Sequence, residues 1–238
     1  MRDIFLGEFF GTMIMILLGC GVCANVGTRK SGMSGGGPVQ IVIAWGFAVM
    51  LPAYIFGSLT GAHFNPAVTL AMVMQGTVSL DQVPFYLLGE FGGAFFGACL
   101  VYLLFQKHIE EMAEEGEKIR GFFCTAPSIP SPFHNLLSEI VGTFVLIFAI
   151  LGMGRVPQAA ASGMDKFLLY GIIVSVGASL GGLTGYAINP ARDLGPRLAY
   201  AVLPIPRKVK PNFEYGWIPV VGPLIGTVIA VLLYNFIF

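Results

Sequence analysis

Charge is scarce in this chain. Only 11% of its 238 residues are charged, where a soluble domain carries about 25%, and that excludes a water-covered globular surface. Neither sign dominates: Lys+Arg 13 stands against Asp+Glu 13, so no basic surface recruits nucleic acid. Cysteine is confined to Cys20, Cys23, Cys99 and Cys124, three of them inside apolar runs, and no disulfide framework is expected. No ligand cluster accompanies the few histidines, so no metal site is expected. There is no nucleophile–base pair and no phosphate-cradling loop. Neither an enzyme nor a cofactor is expected.

Apolar residues make up 55% of the chain, with a mean hydropathy of +0.79. Thirty-two glycines in so apolar a sequence point to helices packed closely in lipid. Long apolar stretches run over 4–26, 39–59, 83–105, 135–153, 166–184 and 216–238, each long enough to cross the hydrocarbon core as a helix. The first is read as a span and not as a cleaved signal: Glu8 interrupts it, Asp3 offsets Arg2, and it runs too long for a signal core. Two shorter segments, 65–75 and 189–201, would reach only about half-way across. The loop 106–134 is long and charged, its glutamates most simply a solvated loop or short helix.

The sequence repeats. GEFFGT at 7–12 returns as SEIVGT at 138–143, and Asn65-Pro66-Ala67 returns as Asn189-Pro190-Ala191. Gly89 and Gly93 have weaker counterparts in Gly222 and Gly226. Each half holds three crossings, an odd number, so the second half enters from the other side. An all-α bundle of six crossings and two re-entrant half-helices in an inverted repeat follows: one channel domain over 1–238, with repeats at about 1–105 and 135–238 joined by 106–134.

Asn-Pro-Ala is a helix start, with Asn as N-cap and Pro at the first helical position. With its oxygen engaged, each Asn side chain has only its NH2 to offer outward. Two half-helices meeting at mid-membrane place two donors and two positive dipole ends at one point, repelling cations. Gly61-Ala62-His63-Phe64 and Gly185-Tyr186-Ala187-Ile188 are expected as extended backbone, tolerated at that depth only in protein or along a wet cavity. Their carbonyls would form a ladder of acceptors. Donors at the centre and acceptors beside them describe a pore for neutral, hydrogen-bonding solutes. Gly61, Ala62, His63, Gly185 and Ala187 are the expected lining.

These motifs, with GAHFNPAVT at 61–69 and TGYAINPARDLGP at 184–196, resemble the major intrinsic proteins, the aquaporins and glycerol facilitators, over essentially the whole chain. Asp193 after Arg192 is similar to the glycerol-facilitator branch. The resemblance implies a selectivity filter of Trp45, Gly177, Tyr186 and Arg192. Gly177 stands where water-only members place His, and would leave room. Trp45 and Tyr186 would form an apolar wedge facing the Arg192 guanidinium. Tyr186 itself departs from the Phe usual in bacterial glycerol facilitators. The resemblance also implies homotetramers in the cell membrane and cytoplasmic termini. The basic residues predict external termini: Arg2, Arg155 and Lys166 lie on the terminal side, against Arg29, Lys30, Lys107, Lys118, Arg120, Arg207, Lys208 and Lys210 on the other.

Intramembrane Glu8, Glu90 and Glu139 suggest ion or proton traffic by default. The symmetric placement of Glu8 and Glu139 favours bracing of the half-helix loops, while Glu90, with Pro223 at its counterpart position, has no assigned role. The expected function is passive conduction of water and small neutral solutes, chiefly glycerol, urea among the candidates. The alternatives are undissociated lactic acid through the same fold, and, in another class, a proton-coupled secondary transporter.

Overall fold

A computed structural model describes residues 1–238 and is entirely helical. Its elements are α1 (Arg2–Gly27), α2 (Gly37–Thr60), α3 (Pro66–Met74), α4 (Val83–Glu110), α5 (Gly116–Phe123), α6 (Pro132–Met153), α7 (Pro157–Ser162), α8 (Met164–Thr184), α9 (Pro190–Val202), α10 (Phe213–Gly216) and α11 (Ile218–Ile237). Six helices are long and apolar enough to cross a membrane: α1, α2, α4, α6, α8, and α10 running into α11 as Phe213–Ile237. They are the six stretches read from hydropathy, extended at several ends by a turn. The half-helices α3 and α9 fill the two short segments.

Both halves pack by the same scheme. In the first, α1 lies against α2 and α4; in the second, α6 lies against α8 and α11. The small residues explain how closely. A Cβ on Gly93 would stand 2.2 Å from the Phe9 carbonyl oxygen of α1, and one on Gly226 would stand 2.3 Å from that of Ile140 in α6. Backbone approach of this kind is what small residues supply between helices in lipid, where apolar side chains have no hydrophobic reason to leave their surroundings. The half-helices cross over: α9 packs on α4 of the first half, and α3 packs on α11 of the second.

Large apolar side chains such as Leu88, Leu103, Leu104, Leu232 and Phe236 are exposed on the crossing helices. A soluble protein would hide them; a lipid-facing wall does not need to. Polar side chains are correspondingly inside, with Glu8, Glu90, Glu139, Asp193 and Arg197 all fully buried.

The loop over 106–134 is more than a solvated connection. Its short helix α5 buries Ile119, Phe122 and Phe123. Arg29 pairs with Glu115 and Lys30 with Glu111, while Arg207 pairs with Glu114. The glutamates thus tie this loop to two others. Its apolar residues then reach the helical core, because a segment that follows a crossing helix directly starts at the rim of the bundle.

Candidate functional site

Asn65 and Asn189 cap α3 and α9 by accepting from the backbone N–H of Ala67 and of Ala191 and Arg192, at 2.9, 3.0 and 3.1 Å. Their amide groups point at the other half of the chain. Asn65 Nδ2 donates to the Ile188 carbonyl at 2.9 Å, and Asn189 Nδ2 donates to the Phe64 carbonyl at 2.8 Å. An NH2 group has two hydrogens, so each Asn has one committed to joining the repeats and one left. The sequence reading had both directed outward, because the partner carbonyls lie more than a hundred residues away along the chain.

The approach segments are not extended. Gly61, Ala62 and Phe64 have φ of 86°, 56° and 50°, and Gly185, Tyr186 and Ile188 have 80°, 36° and 41°. Left-handed backbone is costly for residues with a Cβ, so something must hold it. Glu8 and Glu139 do so in matching ways. Glu8 Oε1 accepts from the Thr60 hydroxyl at 2.6 Å and His63 N–H at 3.1 Å, and its Oε2 accepts from Phe64 N–H at 2.6 Å. Glu139 Oε1 accepts from the Thr184 hydroxyl at 2.6 Å and Ala187 N–H at 3.0 Å, and its Oε2 from Ile188 N–H at 2.8 Å. Charge-assisted bonds to backbone N–H are the strong kind. The repeated Gly of the motif has its own part: a Cβ on Gly11 would fall 2.0 Å from the Phe64 ring, and one on Gly142 would lie 3.0 Å from Ile188.

One cavity of about 480 Å³ joins these parts. Gly61, Ala62, His63, Asn65, Ala187, Ile188 and Asn189 line it, together with apolar side chains that include Val49, Leu146, Ile150 and Ile173. Trp45, Tyr186 and Arg192 also line it, and Gly177 and Gly185 are not among its lining residues. A Cβ on Gly177 would lie 2.8 Å from Cζ of Tyr186, and one on Gly181 would lie 2.6 Å from its Cδ1. The room that Gly177 vacates is filled by the Tyr186 ring. A Cβ on Gly185 would lie 3.1 Å from the Thr125 side chain.

The Arg192 guanidinium rests on the face of Trp45, 4.0 Å from the ring centroid. Its Nη1 donates to the Phe123 carbonyl at 3.5 Å. Arg192 is free for this because its neighbour is engaged elsewhere. Asp193 accepts from Arg197 Nε at 2.8 Å, with both side chains fully buried, and from the backbone N–H and hydroxyl of Thr125 at 2.7 and 2.6 Å. Arg197 also donates to the carbonyls of Thr125, Pro211 and Asn212. This pair ties α9 to two loops. Phe123, Thr125 and Arg197 were not singled out from sequence; the one signal was the i, i+4 spacing of Asp193 and Arg197 on a short segment.

His63 stacks on Tyr86 with ring centroids 4.3 Å apart, and its Nδ1 lies 2.8 Å from the Thr69 hydroxyl. That hydroxyl lies 2.6 Å from Oε1 of Glu90. No cluster of His, Cys, Asp or Glu could hold a metal ion. Burial pushes the Cys124 thiol up to about 12, so it stays a neutral side chain.

The chain matches the model of the family described as Major intrinsic protein over residues 2–234. It is 45% identical over 236 residues to a probable glycerol uptake facilitator protein of Thermotoga maritima, covering 99% of this chain and 100% of that one. It is also 45% identical to the glycerol uptake facilitator protein of Bacillus subtilis, over 97% of this chain and 83% of that one. Among solved structures, the aquaglyceroporin from Plasmodium falciparum aligns with a TM-score of 0.83 at 30% identity, covering 98% of this chain and 95% of that one.

Proposed function

Because the chain belongs to the major intrinsic protein family, we propose that it is a passive channel that conducts small neutral solutes, chiefly glycerol, together with water. One observation carries this reading. Two half-helices from opposite halves bring their Asn caps to a single cavity, each Asn bonded to the other half through one amide hydrogen and holding one more to donate. A solute oxygen passing there meets two donors, with backbone acceptors before and after. The positive ends of α3 and α9 disfavour cations, and the apolar wall suits the C–H face of a polyol.

In this reading residues 1–238 form one channel unit, and Trp45, Tyr186 and Arg192 are its filter, with Gly177 seating the Tyr186 ring and the Phe123 carbonyl orienting Arg192. The family also suggests a homotetramer in the cell membrane with cytoplasmic termini. Glu8 and Glu139 each accept three hydrogen bonds from the loops they hold, which supports bracing over proton traffic and so a channel over a proton-coupled transporter. Proteoliposomes containing the purified protein should swell in glycerol at a rate linear in concentration and insensitive to an uncoupler. Saturable accumulation driven by a pH gradient would replace the channel with a transporter. Parallel swelling in urea and in lactic acid at a pH below its ionisation ranks the solutes.

A further inference from the structure

Glu90 is fully buried on α4, and its Oε2 has no hydrogen-bond partner. Its Oε1 has one close partner, the Thr69 hydroxyl at 2.6 Å, which in turn lies 2.8 Å from His63 Nδ1; the Asn65 backbone N–H is a weaker donor to the carboxyl. No lysine or arginine pairs with it; the neighbouring acidic group, Glu8, is occupied by three donors of its own. His63 lines the cavity, and its Nε2 faces Gly61 without a partner in the protein.

Thr69 has one hydroxyl hydrogen, so it can donate to Glu90 or to His63 but not to both. Three neutral-histidine wirings result; the one that puts the Glu90 proton on Oε2, with Oε1 accepting from Thr69 and Nδ1 keeping its hydrogen, leaves a buried O–H without an acceptor, and two remain. In the first, an ionised Glu90 accepts from Thr69, which accepts from Nδ1–H, and Nε2 presents a lone pair to the cavity. This leaves a buried carboxylate with one close hydrogen bond and no cation to pair with, a costly state for such a group. In the second, Glu90 keeps its proton on Oε1 and donates to Thr69, Thr69 donates to Nδ1, and Nε2 carries the hydrogen. No charge is buried.

We propose that Glu90, protonated and acting through Thr69, is a positioning residue that fixes His63 in the Nε2–H form, so that the cavity gains a side-chain donor between Gly61 and the Asn caps. The proposal rests on the channel reading for its consequence, since a passing hydroxyl would be bound there by Nε2–H. It gives Glu90 a task that the symmetry of the halves does not explain, since its counterpart is Pro223. A Gln at this position would donate to Thr69 in the same direction; a Leu would leave Thr69 free to turn.

The test labels histidine with ¹⁵N in protein where His108 and His134 are replaced by Gln, so that His63 is the one imidazole. The ¹⁵N shifts should report a neutral ring protonated at Nε2, in Glu90→Gln as in the parent. The infrared spectrum should show a protonated-carboxyl band that Glu90→Gln removes. An Nδ1–H ring, an imidazolium, or no band lost in Glu90→Gln would overturn the wiring, and the ring form is read in protein that keeps Glu90. In vesicles, Glu90→Leu should lower glycerol flux by about fivefold, the scale of one hydrogen bond, and Glu90→Gln should restore it. Equal flux in Leu and Gln variants would refute the positioning role. Should the spectra come out as expected in a protein that passes no glycerol, the channel reading fails and the wiring stands.

Discussion

Asn65 and Asn189 each have more to do than a helix cap requires. Asp caps a helix as well as Asn does, so a cap alone would tolerate the exchange. Here Asn65→Asp sets a carboxylate oxygen against the Ile188 carbonyl, where a donor stood at 2.9 Å. Asn65→Asp and Asn189→Asp should therefore lose glycerol flux and also be less stable, by about 1–3 kcal/mol for the stranded buried acceptor. Swelling assays and thermal unfolding in detergent check both parts; an unfolding temperature equal to the parent's would leave Asn65 a cap only. Tyr186 sets the outcome at Gly177 in the same local way. Its Cζ lies 2.8 Å from where a Cβ would be, so Gly177→His must push the ring into the cavity. The single variant should lose glycerol and water flux together, and adding Tyr186→Ala should return water. Stopped-flow light scattering on one set of vesicles measures both.

Helix α9 is held at its start and along its middle by different means. At its start, Asn189 joins it to the first half; one turn on, Asp193 and Arg197 fasten it to the loops at Thr125, Pro211 and Asn212. Removing one member of a buried pair leaves the other charge stranded, at a cost of about 3–5 kcal/mol. Arg197→Met should therefore destabilise the fold more than the double variant with Asp193→Leu, as read by unfolding in detergent. Arg197→Met no worse than the double variant would mean that the pair is solvated. Between α1 and α4 the contact depends on absence of a side chain. Gly93→Val should prevent assembly, since its Cβ would meet the Phe9 carbonyl oxygen at 2.2 Å, whereas Gly21→Val, with nothing within 4 Å, should be tolerated. Size-exclusion profiles of the two variants decide it.

Over the whole molecule, the two halves are interdependent. Each Asn donates to the other half, and each half-helix packs on a crossing helix of the other half. Neither repeat can present its donors without its counterpart. In the proposed channel charge is arranged for exclusion: the N-terminal ends of α3 and α9 meet at the cavity, and Arg192 on Trp45 lines it. Arg192→Val is expected to keep neutral flux and to admit protons, because one fixed positive charge is gone while both helix ends remain. A pH-sensitive dye inside vesicles reads the leak. Dissipation by the parent as fast as by the variant would move the barrier elsewhere.

Six crossings and two half-length segments were legible because membrane helices follow from run length and hydropathy alone, which are local properties. The capping role of Asn-Pro-Ala was legible for the same reason: a cap bonds to residues two or three positions away. The inverted repeat followed from counting. What the sequence could not determine is where groups far apart in the chain meet. The second partner of each Asn, the left-handed backbone at Ala62, Phe64, Tyr186 and Ile188, the Tyr186 ring in the space left by Gly177, and the approach of Phe123 to Arg192 all depend on packing between elements. The relay from Glu90 through Thr69 to His63 is the sharpest instance. Glu90 reads from sequence as an unexplained charge in an apolar helix, and only the approach of α4 to α3 gives its proton somewhere to go. Hydropathy and capping act within a few residues along the chain; side-chain orientation and hydrogen-bond direction are set by neighbours that only tertiary structure supplies.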